Sequence, residues 1–258
     1  MGHERIGFLP RTKRWREVVA SINDVPTGNE STTAKIADNT LTNVQSRFRR
    51  LHADEGIQAA FGYLIALAST HIPISSGLAS PDIELTDNTS PVRIASQLNE
   101  WVNLHSSSRE YAELACRAAS DTIVEWTKSH SAQGQLFDES TSASSIWAQA
   151  ANGAGFCEVS RLFFANLTNR YLRYFLEREA STQISSIEDR EKFNDNLKTH
   201  VKSVSKHAFE TSKITQSFAA GWFNKHAHDK RPSDSEIKSF LAIAFGKLHE
   251  EIQREAKQ

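Results

Sequence analysis

From Trp15 to Ile252 the apolar residues of this chain return at every third or fourth position, and that spacing constrains the fold more than any other feature. Such a period lines side chains along one stripe of a helix, whereas a half-buried strand needs strict alternation. Only Asp82-Ile-Glu-Leu-Thr86 alternates in the manner of a short strand. Glycine (11) and proline (6) are scarce among 258 residues, which favours long helices over a turn-rich β fold. The pattern predicts an all-α fold, a multi-helix bundle of about eight helices.

Trp15, Val18, Val19 and Ile22 predict a first helix over residues 12–23, ended by the turn-forming run from Val25 to Ser31. Ile36, Leu41, Val44, Phe48 and Leu51 predict a second over 33–54, and the apolar stretch 56–68 follows at once. Pro73, Gly77, Pro81, Asp87 and Asn88 mark 71–90 as an irregular loop. Helices over 91–104 and 109–128 come next, with Pro91 suited to a first turn. The stretch 131–145 is rich in serine and reads as a linker. It would separate an N-terminal helical region, 1–130, from a C-terminal one, 146–258, unless the two form one continuous domain.

Beyond it, 146–180 is expected to be one helix bent at Asn152-Gly-Ala-Gly155. A cap at Ser185 or Ser186 opens the next helix. There Leu197, Val201, Val204, Ala208, Thr211, Thr215, Phe218 and Trp222 alternate spacings of four and three. The expectation is one long helix over 197–222 carrying a heptad seam, packed on a neighbour in the same chain or against a second copy. Ser233-Asp-Ser-Glu236 has the form of a capping box ahead of Ile237, Phe240, Leu241, Ala244, Leu248 and Ile252.

Two cysteines, Cys116 and Cys157, make no disulfide framework and point to a reducing, cytoplasmic setting. The most apolar run, 56–68, is shorter than the ~20 residues a membrane crossing needs. Residues 1–10 lack the apolar core of a secretion signal, and Ile6 stands where a myristoylation motif needs Ser or Thr. Net charge is −1, but residues 1–52 carry +4, 53–160 carry −9 and 161–258 carry +4. That distribution predicts either one segment docking on another or a partner of matching sign.

Motifs of chemistry are mostly missing. No P-loop, nucleophile elbow, H-E-x-x-H or C-x-x-C occurs, and Gly153-Ala-Gly155 lacks both the third glycine and the preceding strand of a dinucleotide site. Pro232-Ser-Asp234 with Glu236 and Lys238 shares residue types with a PD-(D/E)-x-K nuclease, yet these residues open a helix rather than end a strand. His200, His207 and Glu210 share one helical face, but a seven-residue step is about 10 Å along the axis, too far for one ion without a third element. The sequence therefore predicts no cofactor and no metal dependence. His226 and His228 read as cations favouring a helix end.

Basic clusters remain. Arg11, Lys13, Arg14 and Arg16 surround Trp15, while Arg47, Arg49 and Arg50 surround Phe48. The cations could contact phosphate and the aromatics could stack on a base or lie at a lipid interface. The alternative puts the aromatics in the core and the cations on a solvated face.

The stretch from Gly2 to Val19, which opens Gly-His-Glu-Arg-Ile-Gly-Phe-Leu-Pro-Arg, resembles the start of uncharacterised bacterial helical proteins associated with anti-phage defence loci. The likeness covers under a tenth of the chain and brings no catalytic motif. It implies a bacterial cytoplasmic protein acting with a co-encoded protein partner. The expected function is thus a non-enzymatic helical interaction module. Its rivals are an anionic-membrane or nucleic-acid binder using the basic helices, and a metal-dependent hydrolase.

Overall fold

Side-chain caps open most of the helices described in this chain. The computed structural model describes residues 13–22, 30–70, 81, 83, 85–86, 88–131, 142–209 and 217–255. Among these, ten α-helices form: α1 (Lys13–Ile22), α2 (Glu30–Arg50), α3 (Glu55–Ala68), α4 (Pro91–His105) and α5 (Glu110–Ser131). They continue as α6 (Ala143–Ala148), α7 (Gly153–Gln183), α8 (Ile187–Phe209), α9 (Phe218–His226) and α10 (Asp234–Glu255). Helix accounts for 85% of the described residues, and no strand occurs among them. The fold is all-α.

The caps are local chemistry. The Asp54 carboxylate accepts from the Ile57 N–H at 3.0 Å, and the Ser90 hydroxyl accepts from the Arg93 N–H just ahead of Pro91. Of the two candidate serines before α8, it is Ser186 whose hydroxyl accepts from the Asp189 N–H. The capping box forms in both directions. Ser233 Oγ accepts from the Glu236 N–H, and Glu236 Oε2 accepts from the Ser233 N–H at 2.7 Å.

Two expected helices differ. Residues 146–180 are not one bent helix, because α6 ends at Ala148 and α7 starts afresh at Gly153. Asn152 Oδ1 accepts from both the Ala154 and Gly155 N–H groups, so the backbone breaks there rather than bending. The heptad seam is also divided. α8 ends at Phe209, and Ser217 opens α9 by accepting from the Ala220 N–H. Leu197, Val201 and Val204 are buried within this one chain, and Phe218 and Trp222 pack on the same core from a different helix. Thr211 and Thr215 lie outside the described residues, as do 71–80 and most of the 131–145 linker.

α7, 31 residues long and roughly 46 Å from end to end, runs through the middle of the molecule. It packs against α5, α8, α9, α1, α2 and α3. α3, with ten buried residues, approaches α5 so closely that a Cβ on Gly56 would fall 2.6 Å from Ala112 Cα. Between these helices the aromatic rings of Phe61, Phe156, Phe164, Phe209 and Phe240 contact one another in series. Buried residues from both sides of the 131–145 stretch belong to one hydrophobic cluster. No described helix is long and apolar enough to cross a membrane.

Candidate functional site

α1 turns Trp15, Val18 and Ile22 inward, which leaves Lys13 and Arg16 exposed on the other side. α2 buries Val44 and Phe48 and ends on three exposed arginines, Arg47, Arg49 and Arg50. The two helices pack on each other. Arg11 and the side chain of Arg14 lie outside the described residues.

Both interleaved aromatics belong to the core. Trp15 is 4% exposed and Phe48 is fully buried, its ring 5.5 Å from that of Tyr171 and 5.3 Å from that of Phe245. Neither ring is presented to a base or a lipid, so the stacking role considered for them is removed. Arg47, Arg49 and Arg50 sit in the last turn of α2, where positive charge complements the helix dipole.

The cations divide by partner. Lys202 binds Glu125 at 2.8 Å and Arg170 binds Asp121, so part of the acidic middle segment is answered by the basic end. Lys13, Arg16, Arg49 and Arg50 form no ion pair among the described residues. Arg47 lies near enough to Tyr111 and Tyr171 for its charge to act on both phenols, against the burial that raises their pKa values.

The histidines separate into different environments. His200 and His207 lie on α8 as expected, while Glu210 is outside the described residues. The neighbours of His207 are instead Glu251 and Glu255 of α10. His226 Nδ1 lies 2.7 Å from Glu236 Oε1, which ties the end of α9 to the capping box of α10. The Ser233 backbone N–H, His226, the Ser233 hydroxyl and Lys230 together pull the Glu236 carboxyl down to about 2. Glu236 is thus an anion held within the capping box and against the end of α9.

His249 is different again. It is 1% exposed beside the Phe48 ring, and neither ring nitrogen has a hydrogen-bond partner among the described residues. Burial pushes its pKa down, and Arg49 acts in the same direction against weaker opposing effects of Asp38 and Glu250. The unfolded chain takes up a proton as pH falls through about 6.5, whereas the folded chain resists it. Stability is then complete above that pH and declines below it, by at most about 1.4 kcal/mol per pH unit. Urea melts of wild type and His249→Phe between about pH 7.5 and 5.5 are expected to show a shallower decline in the variant. Equal declines would assign the acid sensitivity to other groups.

One feature escaped the reading of the sequence. A cleft of about 370 Å³ opens between α3, α4 and the segment joining α9 to α10, lined by Gln58, Trp101, His105, Arg231 and Asp234 among others. The Trp101 ring stacks on His105 with centroids 3.6 Å apart. The same Trp-x-x-x-His spacing recurs at Trp126–His130 and Trp222–His226, each stacked near a helix C-terminus. That repeat was the available signal. It has a structural use, since His105 and His130 each place Nδ1 on the carbonyl of the paired tryptophan. Compared with known proteins, the chain matches no family model, no curated relative and no solved structure.

Proposed function

We propose that this chain is a non-enzymatic helical recognition protein whose α1–α2 face docks on an acidic surface of a protein partner. One observation carries the reading: Lys13, Arg16, Arg49 and Arg50 are exposed and form no ion pair among the described residues, although acidic side chains answer cations elsewhere on the molecule. Charges so placed steer encounter and set orientation more than they add raw affinity. The buried Trp15 and Phe48 favour a protein surface over nucleic acid or lipid, since those ligands draw on exposed aromatics for stacking or insertion. The resemblance of residues 2–19 to proteins of bacterial anti-phage defence loci supports a reading in which the partner is co-encoded and both act in the cytoplasm. The two cysteines, free and buried, suit a reducing compartment.

The triple variant Arg16→Glu, Arg49→Glu, Arg50→Glu tests the proposal. Exposed charges contribute little, and loss of the dipole complement on α2 costs roughly 0.3–1 kcal/mol per site, so the fold is expected to survive. Pull-down from native cells followed by mass spectrometry is expected to recover an acidic protein with wild type and to lose it with the variant. Recovery should also fall as salt rises. Undiminished recovery with the variant would refute the assigned surface. Retention of DNA or anionic vesicles by wild type, with no protein recovered, would favour the rival reading instead.

A further inference from the structure

We propose that His207, Glu251 and Glu255 form a binding site for a divalent transition-metal ion of the Zn²⁺ class, at the seam between α8 and α10. Along one helix His200 and His207 are too far apart to share an ion, and a third element is required. The tertiary structure supplies that element. Glu251 and Glu255 are four residues apart on α10, which puts both carboxylates on one face. α8 brings His207 to that face, with Nδ1 3.2 Å from Glu255 Oε1 and 3.9 Å from Glu251 Oε1.

One ligand atom from each residue lies within 4.8 Å of the other two. Bonds of about 2.0–2.2 Å to nitrogen and carboxylate oxygen place neighbouring donors of one ion roughly 3–3.6 Å apart. The His207–Glu255 pair already meets that spacing. Glu251 reaches it by a small rotation of a long side chain, which no backbone movement need accompany. Imidazole with two carboxylates is a borderline donor set, suited to Zn²⁺, Co²⁺ or Ni²⁺, whereas Mg²⁺ and Ca²⁺ favour oxygen alone. The carboxylates are only 12% and 25% exposed, while His207 is half exposed, so ligands come from the protein side and water completes the shell outside.

A competing cation is in place. Arg254 pairs with Glu251 and lies 3.8 Å from Glu255, neutralising the carboxylates when no metal is bound. Its guanidinium is 61% exposed, so its displacement into solvent costs little. The metal takes the place of both this cation and the Nδ1 proton, and it ties the end of α8 to α10.

Titration of Zn²⁺ into the full chain by calorimetry tests the site, with Co²⁺ absorption as a spectroscopic check. One ion per chain is expected, together with a rise in melting temperature. Loss of an outer-shell partner already costs about 10–100-fold in metal affinity, so His207→Ala, Glu251→Gln and Glu255→Gln should each cost at least that. Arg254→Gln should tighten binding, the opposite direction, which a general effect on folding would not produce. His207 and Arg254 are exposed enough that circular dichroism should be unchanged in their variants. No saturable binding below about 100 µM, an affinity weaker than roughly −5.5 kcal/mol, would overturn the proposal. Binding that persists in His207→Ala would overturn it too, because the ion would then sit on other histidines.

Discussion

Phe240→Ala is expected to lower the unfolding free energy by about 3–5 kcal/mol, the cost of removing a large aromatic from a closed core. Phe240 is 1% exposed, and its ring joins four elements. It stacks on Phe61 of α3 with centroids 5.2 Å apart and planes within 7°. It meets Phe218 and Trp222 of α9 at 5.4 and 4.8 Å, and Phe156 of α7 at 6.0 Å. Each aromatic pair adds about 0.5–1.5 kcal/mol beyond burial, although contributions from one ring do not simply add. For a chain of this size the melting temperature should fall by roughly 6–20 °C. The urea midpoint should drop while the slope stays constant, because the surface exposed on unfolding is nearly unchanged. Ile243, on the outer side of the same helix and 52% exposed, provides the contrast: Ile243→Ala should cost well under about 1 kcal/mol. Similar costs at both positions would mean that α10 does not face the core as described.

The second large effect is one of sign. In an open helix alanine is favoured over glycine by about 1 kcal/mol, so propensity alone makes Gly155→Ala stabilising. The structure reverses that expectation. A Cβ on Gly155 would fall 2.1 Å from the Gln149 carbonyl oxygen and 2.8 Å from Ala150 Cα. Both are backbone atoms, which cannot swing aside as a side-chain end can. The junction between α6 and α7 would have to open, and with it the Asn152 cap that accepts from the Ala154 and Gly155 N–H groups. Gly155→Ala is therefore expected to destabilise by at least about 2 kcal/mol, in the range of overpacking with a cap lost. Gly221, exposed on α9, has no atom within 4 Å of its would-be Cβ. There Gly221→Ala should stabilise by about 0.5–1 kcal/mol. Opposite signs at the two glycines are the result to look for in denaturant melts. A stabilised Gly155→Ala would show that the chain passes smoothly from α6 into α7 after all.

The sequence by itself determined the helical class and which face of each helix turns inward. Apolar period and cap chemistry act within a few residues, so they can be read without a fold: Trp15, Val18 and Ile22, or Ser233 with Glu236, would look the same in any compact chain. The basic surface was legible for the same reason. Once Trp15 and Phe48 are assigned to their stripes, the cations beside them have only the outside left to occupy. The place of the α6–α7 break was legible in Asn152-Gly-Ala-Gly155, but that it is a break rather than a bend was not, because such a run serves either. Nor was the division of the heptad seam between α8 and α9, since a continuing spacing carries no information about where a helix is interrupted. Pairs one helical turn apart, such as Arg117 with Glu113 and Lys192 with Glu188, follow from spacing, but tertiary structure alone decided which charges find partners on another helix. Lys202 meets Glu125 across 77 residues, and His207 meets Glu255 across 48. Such pairs depend on how helices pack, and packing is settled by the shapes of buried side chains taken together rather than by any local pattern.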